Sequence, residues 1–172
     1  MKSEKFKDDG EQIYAFGEEF LVKCPKCASL AKVLLKDKNS DSDYPLLSSR
    51  KIVCSRCGLA KIWNGKHIIG VRTSPLDKQI PPRMLVVGGS FDWYFQESLW
   101  LQIECCGETL WAYNEKHLEF IENYVMAKLR ARTPNTNKSL ASRLPQWIKS
   151  AKNRDEILRA IEKLKEKLNG QS

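Results

Sequence analysis

The first regular pattern along the chain has the period of a β-strand. Phe20, Val22 and Cys24 alternate with Leu21 and Lys23, which places successive side chains on opposite faces of a sheet. Leu30 to Leu35, Lys51 to Cys54 and Leu59 to Trp63 are further short strand candidates. Lys36 to Ser49 is a polar loop, Asn64-Gly65 is a strong turn signal, and His67 to Val71 reads as a returning strand. Pro75, Pro81 and Pro82 mark residues 73–83 as a connector. Beyond it Leu99, Leu101 and Ile103 alternate with Trp100, Gln102 and Glu104. Cys105-Cys106-Gly107 forms the next turn and Thr109 to Ala112 the strand that returns.

At Asn114 the period changes to that of a helix. Asn114 is a good N-cap with Glu115 in the first turn, and Leu118, Ile121, Val125 and Leu129 follow at helical spacing. The expected helix has four to five turns and stops before Thr133-Pro134, because a residue preceding proline disfavours the helical region. A short helix over Ser139 to Leu144 and another opened by Pro145 come next. A last helix is capped by Asn153, carries Ile157, Ala160, Ile161, Leu164 and Leu168, and ends near Gly170. Strands followed by helices give an α+β fold class. Its parts are a polar N-terminal arm over 1–19, a ribbon of short antiparallel strands over 20–72, and a β-hairpin with a helical C-terminal third over 84–172.

Charge adds an asymmetry to this outline. Residues 128–172 hold twelve Lys and Arg against four Asp and Glu, whereas residues 1–127 hold seventeen of each sign, so the formal net charge of +8 belongs to the C-terminal region. Such a distribution points to an anionic partner. No apolar run approaches the ~20 residues of a membrane span. The polar start Met1-Lys2-Ser3-Glu4-Lys5 is not a secretory signal. The expected location is the cytoplasm, where cysteines stay reduced and read first as metal ligands or buried thiols.

Four of the six cysteines carry the strongest chemical signal. Cys24-Pro25-Lys26-Cys27 and Cys54-Ser55-Arg56-Cys57 are two C-x-x-C pairs with 26 residues between them. Two spacer residues let the chain turn so that both sulfurs face one ion, and two such turns supply the four thiolates of a closed tetrahedral site, with zinc–sulfur bonds of about 2.3 Å. A four-ligand site leaves no open coordination position, so the expected cofactor is one structural zinc ion. The segment from Phe20 through both pairs to Ile62-Trp63 resembles the zinc ribbons, a kind of zinc finger, of basal transcription factors and of many small bacterial proteins. It covers about a quarter of the chain. The longer stretch Phe91 to Leu168 resembles that of uncharacterised bacterial zinc-ribbon-containing proteins. The resemblance implies the ligands Cys24, Cys27, Cys54 and Cys57 and implies no activity. Ala28 departs from the common ribbon pattern, in which glycine is frequent at that place.

The remaining chemistry is less specific. Cys105 and Cys106 read as two reduced, buried thiols in a hairpin, since cysteine is among the most buried residue types. The alternative is a second metal site completed by His117 or His67. Trp93, Trp100 and Trp111, with Phe91, Tyr94, Phe95 and Tyr113, make residues 91–113 an aromatic segment, read first as core. Trp100 is its best candidate for an exposed platform or for a second packing layer. Among the basic residues, Lys138, Arg143, Lys149, Lys152, Arg154, Arg159 and Lys163 are the candidate nucleic-acid contacts, with Lys26, Arg56 and Lys61 near the knuckles as helpers.

No phosphate-binding loop, nucleophile elbow, zinc-protease helix or dinucleotide fingerprint occurs, and the carboxylates Asp92, Glu97, Glu104 and Glu108 form no recognised catalytic spacing, so catalysis is not expected. The leading functional expectation is a zinc-stabilised module that binds DNA or RNA largely independently of sequence through the basic C-terminal helical region. The alternative is a protein-interaction or adaptor module that docks through residues 91–113. No membrane partner is expected.

Overall fold

The computed structural model describes residues 5–36, 48–63, 87–127 and 138–170, together with the backbone of 129–132. The Asn64-Gly65 turn, the His67–Val71 strand, the connector over 73–83 and most of the Lys36–Ser49 loop lie outside the described residues. The fold is α+β, and the chain divides into two compact units: residues 18–100, and residues 1–17 with 101–172.

The first unit is built on a four-stranded antiparallel sheet. Its strands β2 (Phe20–Lys23), β3 (Leu30–Leu35), β4 (Arg50–Val53) and β5 (Ala60–Trp63) lie side by side in chain order; β1 (Lys5–Asp8) belongs to the other unit. The register pairs Lys23 with Leu30 and Val53 with Ala60, so both short connections, 24–29 and 54–59, leave the same end of the sheet. They are neighbours there because β3 pairs with β4. Phe20, Val22, Ala31, Val33 and Ile52 are almost fully buried on this sheet. The free edge of β2 is covered by the chain at 98–100. Lys23 N–H donates to Ser98 O at 2.8 Å, and Trp100 N–H donates to Leu21 O at 2.8 Å.

Trp93 and Tyr94 of the aromatic segment pack onto this sheet as core. Trp93 and Tyr94 meet the Phe20 ring edge-on at 5.0 and 5.9 Å, and Tyr94 meets Trp63 at 4.9 Å. The loop that carries them is organised by Asp92. Its buried carboxylate accepts backbone N–H bonds from Tyr94 (2.9 Å), Phe95 (2.8 Å) and Glu97 (2.7 Å). Arg50 is buried too, with its guanidinium 4.6 Å above the Tyr94 ring and Nη1 donating to Glu18 O. Trp100 is only 7% exposed, so of the two readings offered for it the exposed platform is removed and it serves as packing. As the chain runs along β2 at this point, a side chain that leaves one face of the segment still finds cover.

In the second unit β6 (Leu101–Cys105) and β7 (Glu108–Ala112) form a hairpin joined by Cys106-Gly107. Both joining residues have positive φ, +58° and +77°, as a tight hairpin turn matching the strand twist requires. Helix α1 (Glu115–Met126) packs on β7, and α4 (Arg154–Asn169) packs on β6 and on α1. Leu101, Leu110, Leu118, Ile121, Ile157 and Ile161 are the centre of that core. Between the helices lie the short α2 (Leu140–Arg143) and α3 (Gln146–Lys149).

Capping follows the sequence at α1, where Asn114 Oδ1 accepts from His117 N–H at 3.0 Å. At α2 Ser139, read from sequence as the first residue of the helix, is its N-cap, with Oγ accepting from Ser142 N–H at 3.1 Å. Asn153 precedes α4 but makes no side-chain cap: its backbone is already in the helical region (φ −92°, ψ −5°) and not extended as at Asn114, and its Nδ2 donates to Trp147 O.

Helix α1 is shorter than its apolar spacing predicts. Ala127 is extended, and Leu129–Arg132 form strand β8, which pairs in parallel with β1. Leu129 continues the helical period, yet the backbone at this point hydrogen-bonds to the N-terminal strand instead. Residues 5–17, read from sequence as part of a polar arm, supply that strand, a 3-10 turn at Ile13–Phe16, and the buried Phe16. Phe6 packs edge-on to Phe120 and Tyr124.

Candidate metal centre

Each knuckle is held by the same three elements of backbone geometry. Cys24 N–H donates to Ser29 O (2.7 Å) and Ala28 N–H to Cys24 O (2.8 Å). In the second knuckle Cys54 N–H donates to Leu59 O (2.9 Å) and Gly58 N–H to Cys54 O (3.0 Å). The residue after each second cysteine is left-handed, Ala28 at φ +57° and Gly58 at +69°. This equivalence explains why glycine is the ordinary choice there, and it shows that Ala28 adopts the turn without it. Lys26 N–H also points at Cys24 Sγ, at 3.4 Å.

The two turns bring their sulfurs together in crossed pairs. Cys24 Sγ lies 3.6 Å from Cys57 Sγ, and Cys27 Sγ lies 3.6 Å from Cys54 Sγ. All four lie within 4.8 Å of one another. A tetrahedron of thiolates with metal–sulfur bonds of about 2.3 Å has edges of about 3.8 Å, so the donor set fits a metal ion at its centre. None of the six cysteines is in a disulfide. Cys24 and Cys54 are buried and Cys27 and Cys57 half-buried, so the cluster sits at the sheet end with one side toward solvent.

Cys27 and Cys57 differ electrostatically. Backbone and side-chain hydrogen bonds from Ser29 outweigh burial at Cys27 and hold its thiol down at about 6. At Cys57 the backbone bond from Leu59 lowers the value, but burial and the thiols of Cys24, Cys27 and Cys54 together push it up to about 12. Ser29 was not legible as part of the site. The signal lay in its place two residues beyond Cys27, matched by Leu59 two beyond Cys57.

The basic candidates divide into two groups. Lys138, Arg143, Lys152, Arg159 and Lys163 are exposed. Lys149 and Arg154 are half-buried and engaged with the protein itself. Lys149 Nζ donates to Ser142 O at 2.7 Å, and Arg154 Nη2 donates to Ala127 O at 3.3 Å. Lys26, Arg56 and Lys61 are exposed on the ribbon, with Arg56 Nη1 donating to Ser29 Oγ at 3.2 Å. The aromatic alternative loses most of its surface, since Trp93, Tyr94, Trp100 and Tyr113 are buried, while Phe91 is exposed. Asp92 spends its carboxylate on backbone amides and is not free for metal or acid–base chemistry.

His117 does not join the second cysteine pair. His117 is buried against Phe16, and its Nδ1 accepts from Tyr113 N–H at 3.3 Å. His67 lies outside the described residues. Cys105 and Cys106 do sit in a hairpin, the former buried and the latter half-buried. Among the described residues no helix is long and apolar enough to cross a membrane. Comparison with protein-family models, curated proteins and solved structures found no significant match, so the reading of this site rests on its residues and geometry.

Proposed function

We propose that the chain is a zinc-stabilised module that binds nucleic acid, largely without regard to sequence. The observation that carries the metal half is the crossed set of four thiols at tetrahedral separations. Zinc is the ion of choice because four soft sulfur donors at the end of an antiparallel sheet suit its tetrahedral preference. With four protein ligands, zinc would fix the two knuckles against each other and leave no position for substrate, a structural role.

The nucleic-acid half rests on charge. Residues 128–153 contain seven Lys and Arg and no Asp or Glu, whereas Arg154 to Asn169 mixes five basic with four acidic residues. The basic excess thus centres on the approach to α4 and less on α4 itself, where Glu162 and Glu166 offset Arg159 and Lys163. Exposed Lys138, Arg143 and Lys152 are free to meet phosphates, and exposed Lys26 and Lys61 extend the cationic surface of the ribbon. Phosphate contacts of this kind give affinity that falls linearly with the logarithm of salt concentration.

The test is binding of the zinc-loaded chain to labelled single- and double-stranded DNA and RNA across a salt series. Binding that weakens steeply with salt, with a slope reduced in a Lys138→Glu, Arg143→Glu, Lys152→Glu variant, is the expected result. Absence of binding at low salt removes the nucleic-acid half and leaves the metal half standing.

A further inference from the structure

A second group of metal-ligating side chains lies in the other unit. Cys105 Sγ and Cys106 Sγ are 3.6 Å apart, and a carboxylate oxygen of Glu156 lies within 4.8 Å of both. Glu156 stands in the first turn of α4, 50 residues away in sequence, and its Oε1 accepts from Cys106 N–H at 2.7 Å.

Adjacent side chains on an extended strand point to opposite faces, which would keep the two sulfurs apart. The hairpin turn removes that restriction. Cys105 ends β6 on the buried face shared with Leu101, toward α4, and Cys106 turns back at φ +58°. Asparagine and glycine are the ordinary occupants of this left-handed position, and cysteine has no conformational reason to be there. Its effect is to bring a second sulfur beside the first at nearly the edge length of a tetrahedral thiolate site.

We propose that Cys105, Cys106 and Glu156 form a second, open site for a thiophilic divalent cation such as zinc. Two thiolates and one carboxylate are three protein ligands, and a tetrahedral ion bound to them keeps one position for water or an exogenous ligand. The half-buried Cys106 and exposed Glu156 leave a path for the ion from solvent, while buried Cys105 anchors it. This site differs from the four-cysteine cluster in its carboxylate and in its vacant position. It is independent of the nucleic-acid reading.

The test counts zinc in the full untagged chain after loading under reducing conditions and equilibration at fixed free zinc, by elemental analysis. Three proteins are compared: the unchanged chain, Cys106→Asn and Glu156→Gln. Cys106→Asn suits the left-handed turn and keeps the fold, and Glu156→Gln keeps an oxygen to accept from Cys106 N–H.

The unchanged chain is expected to hold one ion more than Cys106→Asn. Glu156→Gln is expected to hold that ion at least about tenfold more weakly, the scale of disturbed metal-site partners. The difference of one ion is read whether or not the four-cysteine cluster is loaded, so failure there is recognised separately. If either variant keeps the count and affinity of the unchanged chain, the assignment is overturned.

Discussion

Cys24 Sγ lies 3.6 Å from Cys57 Sγ across 33 residues of sequence, so each knuckle places one of its sulfurs against the other knuckle. A metal ion held this way ties β2–β3 to β4–β5 at one end of the sheet. Binding free energy at such a site is folding free energy, about 10–16 kcal/mol of apparent affinity for structural zinc in isolated fingers. Here the sheet also has its own core around Phe20, Val33 and Ile52, so part of the fold is independently supported. Cys57→Ser or chelation is expected to destabilise the unit of residues 18–100 by several kcal/mol, read as a lower melting temperature and loss of strand signal in circular dichroism. A chelated chain that melts like the loaded one would sink the structural role. Because protons compete for the thiolates, metal retention is also expected to fall as pH is lowered.

The two knuckles contain an internal control. Ala28 and Gly58 occupy equivalent left-handed positions, and a Cβ added at Gly58 meets nothing within 4 Å. The difference between them is therefore backbone conformation alone, about 1 kcal/mol per non-glycine residue in this region, partly offset by the greater freedom of glycine in the unfolded chain. Ala28→Gly is expected to raise stability by up to about 1 kcal/mol and Gly58→Ala to lower it by a similar amount. Denaturant unfolding of the metal-loaded chain checks both. Changes of the opposite sign would show that the turns are set by other forces.

Much of this was legible in the sequence, for local reasons. The paired C-x-x-C motifs, the strands around them, the Cys105–Gly107 turn and the Asn114 cap all depend on residues a few positions apart. What escaped was the long-range part. The helical spacing that includes Leu129 could not reveal that Lys5–Asp8 would take residues 129–132 into a parallel pair. Trp100 alternates with two leucines, yet local alternation says nothing of the neighbouring β2 strand that its backbone joins. Glu156 reaches Cys106 only because α4 packs on β6, and no motif spans those 50 residues.

His117 provides a pH-dependent test of the second unit. Burial holds its pKa down at about 4, against an ordinary value of 6.5, and its Nδ1 accepts from Tyr113 N–H, so the folded state keeps a neutral ring. Between those two values the unfolded chain binds a proton that the folded chain does not, and stability falls as pH falls through that window. A shift of this size corresponds to about 3 kcal/mol, fully retained above pH 6.5 and lost by about pH 4. His117→Gln, which keeps a side-chain acceptor, is expected to flatten this limb of the stability profile measured by urea unfolding from pH 7 to 4. An unchanged slope in the variant would assign the acid sensitivity to other groups.

Asp92 gives the last prediction, and it distinguishes a structural carboxylate from a reactive one. Its side chain is 1% exposed and accepts three backbone N–H bonds from the loop that seats Trp93 and Tyr94 on the sheet. A buried amide left without a partner, as at Tyr94, costs about 1–3 kcal/mol, and the half-buried amides of Phe95 and Glu97 cost less, so Asp92→Ala is expected to lose about 2 kcal/mol or more. Asp92→Asn keeps the Oδ1 acceptor used by Tyr94 and Phe95 but turns an NH₂ group toward the Glu97 amide. Its loss should therefore be smaller, since one of the three bonds becomes a donor facing a donor. Both variants are expected to bind metal at the four cysteines as the unchanged chain does, because the loop's hydrogen bonds do not include the thiols. Equal stability of Asp92→Ala and the unchanged chain would mean that water satisfies the three amides as well as the carboxylate does, and the loop would then have to be held by the burial of Trp93 and Tyr94 alone.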